Sequence, residues 1–176
     1  LRELFLYSAI SLDFFQAKRD GNLDFTNMVK MELRQDYLFS EMYHRMDTIL
    51  MGKNTYNFIR QAIDSWEYPD STTYVFTTED RSETKFEKEN NIKLVNGDVF
   101  SFVSSLKEKE GKDIWLMGGS KINNILVDLI DRMILTLFPL TLGDGLPLFS
   151  KKEIKFKLIS SRTYTDSVIV LEYIKK

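Results

Sequence analysis

Apolar residues in this chain come in short runs separated by turn-forming residues, and their spacing alternates between that of a strand and that of a helix. Glu3 to Ile10 is short, apolar and partly aromatic, which predicts a buried strand. Leu12 to Thr26 reads as a mixed loop with a turn at Asp20-Gly21-Asn22. Asn27 to Arg45 lacks Gly and Pro and is rich in Met, Leu, Glu and Lys, which predicts one helix. Asp47 to Met51 predicts a strand, Gly52 breaks it, and a second helix runs to about Ile63. Thr73 to Thr77 and Ile92 to Val95 predict two more strands. Asp98 can cap a helix whose apolar positions Val99, Phe102, Val103 and Leu106 lie three and four apart. Asp113 to Met117 predicts a strand, and Gly118-Gly119 turns the chain. Ser120 can cap a helix with the clearest stripe in the sequence: Ile122, Ile125, Leu126, Leu129 and Ile130.

The last third changes character. Arg132 to Pro139 predicts a strand, and Gly143-Asp144-Gly145 a loop. Glu153 to Tyr164 and Ser167 to Lys175 flank a short polar turn and predict an antiparallel hairpin. Strands alternating with helices imply a mostly parallel sheet. The expected fold class is α/β: a single domain over residues 1–176, with a central, mostly parallel sheet flanked by helices and a C-terminal antiparallel hairpin. The charged stretch Glu83 to Asn91 reads as an exposed connection.

Composition narrows the function classes. The chain has 176 residues, 43% of them apolar, and a formal net charge of −2 with both signs interspersed. That balance argues against nucleic acid as a partner. There is no cysteine, so disulfides, thiolate metal sites and a cysteine nucleophile are excluded. His44 is the only histidine, which leaves no ligand set for a metal. No apolar run reaches membrane-spanning length, and no secretory leader is read at the start. The expected location is cytoplasmic, with no membrane partner.

Two segments share one layout, an apolar strand, then glycine, then a helix start. They are Ile49-Leu50-Met51-Gly52-Lys53-Asn54-Thr55-Tyr56 and Ile114-Trp115-Leu116-Met117-Gly118-Gly119-Ser120-Lys121. Backbone N–H groups at a helix start carry partial positive charge. Glycine lets a phosphate approach without meeting a Cβ. Two such junctions on adjacent parallel strands would grip a dinucleotide from both sides, with Lys53 and Lys121 adding charge. Neither segment carries the third glycine of the Rossmann fingerprint or the spacing of a P-loop.

These segments, in this order, resemble the dihydrofolate-reductase-like superfamily, and most closely its stand-alone branch related to the riboflavin-biosynthesis reductase domain. The likeness rests on Ala9-Ile10-Ser11-Leu12-Asp13, on Asp47 to Tyr56, on Met117-Gly118-Gly119-Ser120, and on Leu142-Gly143-Asp144-Gly145-Leu146-Pro147-Leu148-Phe149. The resemblance implies an NADPH site. Ala9 and Ile10 would lie beside the nicotinamide, and Gly52, Lys53 and Thr55 by the pyrophosphate and ribose phosphate. Thr77 and Thr78, with Arg81 beyond them, would lie beside the adenosine. Gly118, Gly119, Ser120, Lys121 and Ile122 would hold the pyrophosphate, with a cis peptide between the two glycines. The chain departs from the family at Phe14, where glycine is usual, and at Lys53, where arginine is preferred.

The resemblance further implies an NADPH-dependent reductase acting on a small heterocyclic or sugar-linked substrate, like 5-amino-6-(5-phosphoribosylamino)uracil reductase or dihydrofolate reductase. Asp36 is the first candidate acid, with a solvated helix carboxylate as its other reading. Asp13 either touches substrate or caps a turn. Trp115 reads as core, whereas Trp66 and the Phe14-Phe15 pair read equally as ligand contacts or packing. The alternatives are an NADP-binding protein of the same fold without turnover, and a dimeric structural module. Val168, Ile169, Val170 and Leu171 put apolar residues on both faces of the last strand, which predicts a homodimer with that hairpin near the interface.

Overall fold

The computed structural model describes residues 1–28, 35–78, 91–150 and 152–176. Its strands are β1 (Leu4–Ile10), β2 (Phe15–Ala17), β3 (Met46–Gly52), β4 (Thr72–Phe76), β5 (Ile92–Val95), β6 (Asp113–Gly118), β7 (Arg132–Leu137), β8 (Leu146–Pro147), β9 (Phe156–Thr163) and β10 (Ile169–Lys175). Its α-helices are α1 (Phe39–Tyr43), α2 (Lys53–Ala62), α3 (Val99–Lys107) and α4 (Ser120–Leu126). Eight strands form one sheet in the order β5-β4-β3-β6-β1-β7-β10-β9. Pairing is parallel from β5 through β7 and antiparallel across β7-β10-β9, so the expected α/β class holds. β2 and β8 form a separate antiparallel pair.

The inner strands of the sheet are covered on both faces because their middle positions are mostly apolar, and the alternation of side chains sorts them into two cores. Along β1, Leu4, Leu6 and Ile10 join Ile114 and Leu116 of β6 under α3 and α4. Phe5, Tyr7 and Ala9 join Trp115 and Met117 under α1 and α2. Val103 and Leu106 of α3 and Ile122 and Leu126 of α4 close the first core, and Met42 of α1 and Tyr56 of α2 the second. Asp98 caps α3 as expected, accepting from the N–H groups of Phe100 (3.0 Å) and Ser101 (3.3 Å). Its carboxyl is held below the usual range by the Ser101 hydroxyl and these N–H groups.

Two expectations need correction. The helix expected over Asn27 to Arg45 is not continuous. Asp24–Met28 is a 3-10 turn, residues 29–34 lie outside the described residues, and α1 covers only Phe39–Tyr43. Tyr37 and Leu38, at φ 50° and 67°, are left-handed, which interrupts any helix there. The last helix is also short, because α4 passes into a 3-10 turn at Val127–Leu129. Ile125 is exposed, and the fully buried Asn123 takes the inward position instead. The terminal hairpin forms the antiparallel edge as expected, with β9 outside β10. Val168 and Val170 are completely buried within the chain, and β9, with Leu158 and Ile159 47% and 45% exposed, forms the border.

Ion pairs brace the end of the sheet at which the parallel strands begin. Arg2, 6% exposed, pairs with Asp47 and donates to Thr48 Oγ at 2.7 Å. Glu3 meets Arg45 at 3.2 Å and Arg132 at 2.9 Å, and Lys107 meets Asp131 at 2.5 Å. The opposite end, where the parallel strands finish, carries the glycines and the loops. Leu116, fully buried between β3 and β1, is a sensitive probe of the shared core. Leu116→Ala is expected to cost about 2–5 kcal/mol in chemical denaturation.

Candidate functional site

Because β3 and β6 are neighbours, their finishing ends lie side by side, with Met51 opposite Gly118. The helices that follow leave in opposite directions. α2 leads from β3 to β4 on one side, and α4 leads from β6 toward β7 on the other. They cover opposite faces of the sheet, as their membership of different cores records. A crevice outside the strand ends at such a reversal is where open α/β sheets bind ligands.

At both junctions the backbone is packed so closely by neighbouring side chains that only glycine fits. At Gly118 and Gly119 φ is 95° and 88°, values that side chains with a Cβ rarely adopt. A Cβ on Gly119 would lie 2.9 Å from Thr55 Oγ, and one on Gly118 would lie 2.6 Å from Asn123 Oδ1. The peptide between them is trans, since no cis bond occurs among the described residues. The cis bond implied by the resemblance is therefore absent, and two successive positive-φ glycines make the bend. Thr55 Oγ donates to Gly118 O at 3.4 Å, linking the first junction to the second. A Cβ on Gly52 would stand 3.1 Å from Ile122 Cγ1, so Ile122 forms the floor between them.

The other residues expected at a cofactor lie around this crevice. Thr77 follows β4, whose Phe76 is opposite Gly52, and its N–H donates to Val95 O at 3.0 Å. Thr78 is exposed beside it, while Arg81 lies outside the described residues. Lys53 opens α2, and Lys121 is exposed on the first turn of α4. Ser120 does not cap α4. Gly119 holds the cap position, and the Ser120 hydroxyl donates to Pro147 O at 2.5 Å. Ala9 and Ile10 end β1. The β1–β6 ladder stops at Leu6 and Leu116, whereas the β1–β7 ladder continues to Ile10 and Leu137. The last four residues of β1 therefore have no β6 partner in the ladder, and a notch opens between the two strands.

Both candidate acids are engaged in the structure. Asp13 accepts from Ser11 Oγ at 2.6 Å, Leu142 N at 3.0 Å and Gly143 N at 2.7 Å. The Ser11 hydroxyl, with these N–H groups, lowers its carboxyl to about 2. Asp36 is exposed and precedes α1 rather than lying within a long helix. Its two oxygens accept from Ser40 N at 3.2 and 3.0 Å, and one accepts from Ser40 Oγ at 2.7 Å. Its charge reaches Tyr7, whose hydroxyl donates to Tyr37 O at 3.1 Å. Burial, and then Asp36, raises the Tyr7 hydroxyl above the usual tyrosine range, so it remains a donor.

The aromatic side chains divide clearly. Trp115 is 4% exposed in the core with Phe39, Tyr43 and Tyr68 around it. Trp66 is half-buried between Tyr56 and Tyr68, a packing role. His44 is exposed with Nδ1 2.6 Å from Ser40 O, and no three-residue metal cluster occurs among the described residues. Sequence reasoning missed Gln16 and Asn123. Asn123 Nδ2 donates to Gln16 Oε1 at 3.1 Å and lies 3.5 Å from Leu148 O, while Asn123 Oδ1 has no partner. The break in the apolar stripe at Asn123 was the available signal.

The model of the RibD C-terminal domain matches residues 62–170. The uncharacterized protein YwjB of Bacillus subtilis (strain 168) is 33% identical over 99% of this chain and 98% of its own length. A protein of Shewanella sp. PV-4 provisionally assigned to riboflavin biosynthesis superposes with a TM-score of 0.88 at 28% identity, covering 99% of both chains. Dihydrofolate reductase of Enterococcus faecalis, solved with NADP(H), superposes at 0.69 with 13% identity, covering 99% of this chain and 96% of that one. No described helix is long and apolar enough to cross a membrane.

Asp13 supplies a pH test of how the loops are held. A carboxyl lowered from 3.8 to about 2 stabilises the fold in its ionised form, and that stabilisation is lost as pH falls through this window. Asp13→Asn is expected to lower the melting temperature at neutral pH. The difference from the parent should shrink toward zero as pH is taken from about 4 to about 2.

Proposed function

The chain belongs to the RibD C-terminal domain family, and on that premise we propose that it is a reductase using NADPH to reduce a small heterocyclic or sugar-linked substrate. The side-by-side strand–glycine–helix junctions of β3 and β6 carry this reading. The pyrophosphate lies at Gly52, Gly118, Gly119, Ser120, Lys121 and Ile122. The adenosine and its ribose phosphate lie toward Lys53, Thr55, Thr77 and Thr78. Ala9 and Ile10 border the nicotinamide in the notch between β1 and β6. The backbone N–H groups at the start of α2, with Lys53 and Lys121 beside the two junctions, suit a phosphate-bearing group. The NADP(H) in the Enterococcus faecalis enzyme of the same fold supports the choice of cofactor.

Bound there, NADPH supplies the hydride, and the chain supplies position and shielding. Asp13 serves the loop and Asp36 serves α1, so neither is assigned the proton. Solvent delivers it to the reduced atom, while Tyr7 stays protonated at the notch side of the second core. The same engagement of both carboxylates favours a second reading, an NADP-binding protein of this fold without turnover. Consumption of NADPH in the presence of candidate heterocycles separates the two readings. A structural module, the third possibility, requires no cofactor response.

The working unit is a homodimer, with β9 rather than β10 at its interface. An edge strand exposing Leu158 and Ile159 is a liability unless covered. Sedimentation at micromolar concentration is expected to give a dimer, and Leu158→Lys a monomer.

Thermal unfolding and tryptophan fluorescence with NADPH and NADH test the cofactor reading. NADPH at a hundred times its dissociation constant is expected to stabilise by about 2.7 kcal/mol. NADPH should bind more tightly than NADH, and Lys53→Ala should narrow that gap. Gly119→Ala should weaken both by at least about tenfold, because its methyl meets Thr55 Oγ and enters the phosphate space. Absence of any response to NADPH in the parent would leave the structural module as the reading.

A further inference from the structure

The packing of Phe14 does not account for where its ring stands. Phe14 is 52% exposed and belongs to neither core. Its backbone is left-handed, at φ 61°, a region that disfavours any residue with a Cβ. The adjacent Phe15 packs over Gly145 instead.

The loop that carries Phe14 is held firmly. Ser11 N donates to Phe15 O at 2.9 Å, Phe14 N to Ser11 O at 3.0 Å, Leu12 N to Leu140 O at 2.7 Å and Leu148 N to Phe14 O at 3.1 Å. Asp13 ties the loop to Leu142 and Gly143, and Arg19 pairs with Asp144. The loop pair is then bolted to the start of α4 by Ser120 on Pro147 and by Asn123 on Gln16. The surrounding bonds keep a strained backbone in place and leave an apolar ring exposed, a combination that argues for a role outside the packing.

The position of the loop selects the ligand. Phe14 follows the end of β1, one strand from the β6 junction, and neighbouring strands are about 4.8 Å apart. With the phosphates at β3 and β6 and the adenosine toward β4, the other end of the dinucleotide falls over the end of β1. Resting on the dinucleotide reading above, we propose that Phe14 is a fixed stacking face for the nicotinamide ring, so that its side chain sets affinity for that end of the cofactor. A planar ring, cationic when oxidised, stacks favourably on such a face.

The test compares NADPH with 2′-phospho-ADP-ribose, which lacks the nicotinamide, on the parent chain, Phe14→Gly and Phe14→Tyr. Binding is read by tryptophan fluorescence, and melting is read without ligand. Phe14→Gly is expected to weaken NADPH by about 3- to 10-fold and leave the fragment unchanged. The glycine variant should melt no lower than the parent, because glycine accepts the left-handed backbone. Phe14→Tyr should keep parental affinity. Unchanged NADPH affinity in Phe14→Gly, or equal weakening of both ligands, would overturn the stacking role. Tighter NADPH binding by Phe14→Gly would make the ring a plug and overturn it too. If neither ligand bound the parent chain, the dinucleotide reading itself would fall, and the stacking role with it.

Discussion

The lateral pairing of β3 with β6 is the constraint on which the site depends. It sets Met51 opposite Gly118 and so places two helix starts beside each other. Neither junction alone makes a binding crevice. Side by side, with α2 and α4 departing to opposite faces, they make a reversal outside the strand ends. The pairing holds because Ile49, Leu50, Trp115 and Leu116 are apolar on both faces and are covered on both. The burial that stabilises the sheet thereby also positions the backbone groups of the crevice.

The two ends of the sheet are built differently. Where the parallel strands begin, charged pairs around Arg2, Glu3 and Lys107 close the structure. Where they finish, there are glycines, a shortened β1–β6 ladder and a strapped pair of loops. The notch exists because β1 continues along β7 after it has parted from β6. Tyr37 and Leu38 also depart from ordinary backbone geometry, and Tyr37 packs against Phe138, just beyond the end of β7, and bonds Asp166.

Much of this arrangement was legible in the sequence because it follows from local pattern. The strand–glycine–helix wording around Gly52 and Gly118 marked both junctions, and Asp98 marked the start of α3. What escaped depends on contacts between distant segments. Nothing local to Tyr37 and Leu38 signals a left-handed pair, so composition alone extended a helix through them. Ser120 is a good cap by residue type, yet Pro147, twenty-seven residues on, takes its hydroxyl. Asp36 was the first candidate acid and Asp13 either a substrate contact or a turn cap; the N–H groups and hydroxyls around them show each holding backbone, as the turn-cap reading of Asp13 expects. The both-face apolar character of β10 was legible, and the terminal hairpin does form the antiparallel edge, with β9 outside β10.

The strapping of the two loops is made largely by main-chain atoms, with Ser11, Asp13, Gln16, Ser120 and Asn123 as the principal side chains involved. The ring of Phe14 and the side chain of Leu12, both exposed, contribute nothing to those bonds. Their identity is decoupled from the frame that presents them. A lineage could exchange these residues one at a time and alter the surface around the finishing ends of the strands, while the backbone of the two junctions and both cores stay as they are. The fold separates a part that must persist from a part that is free to diversify, and the separation is written in which atoms make the bonds.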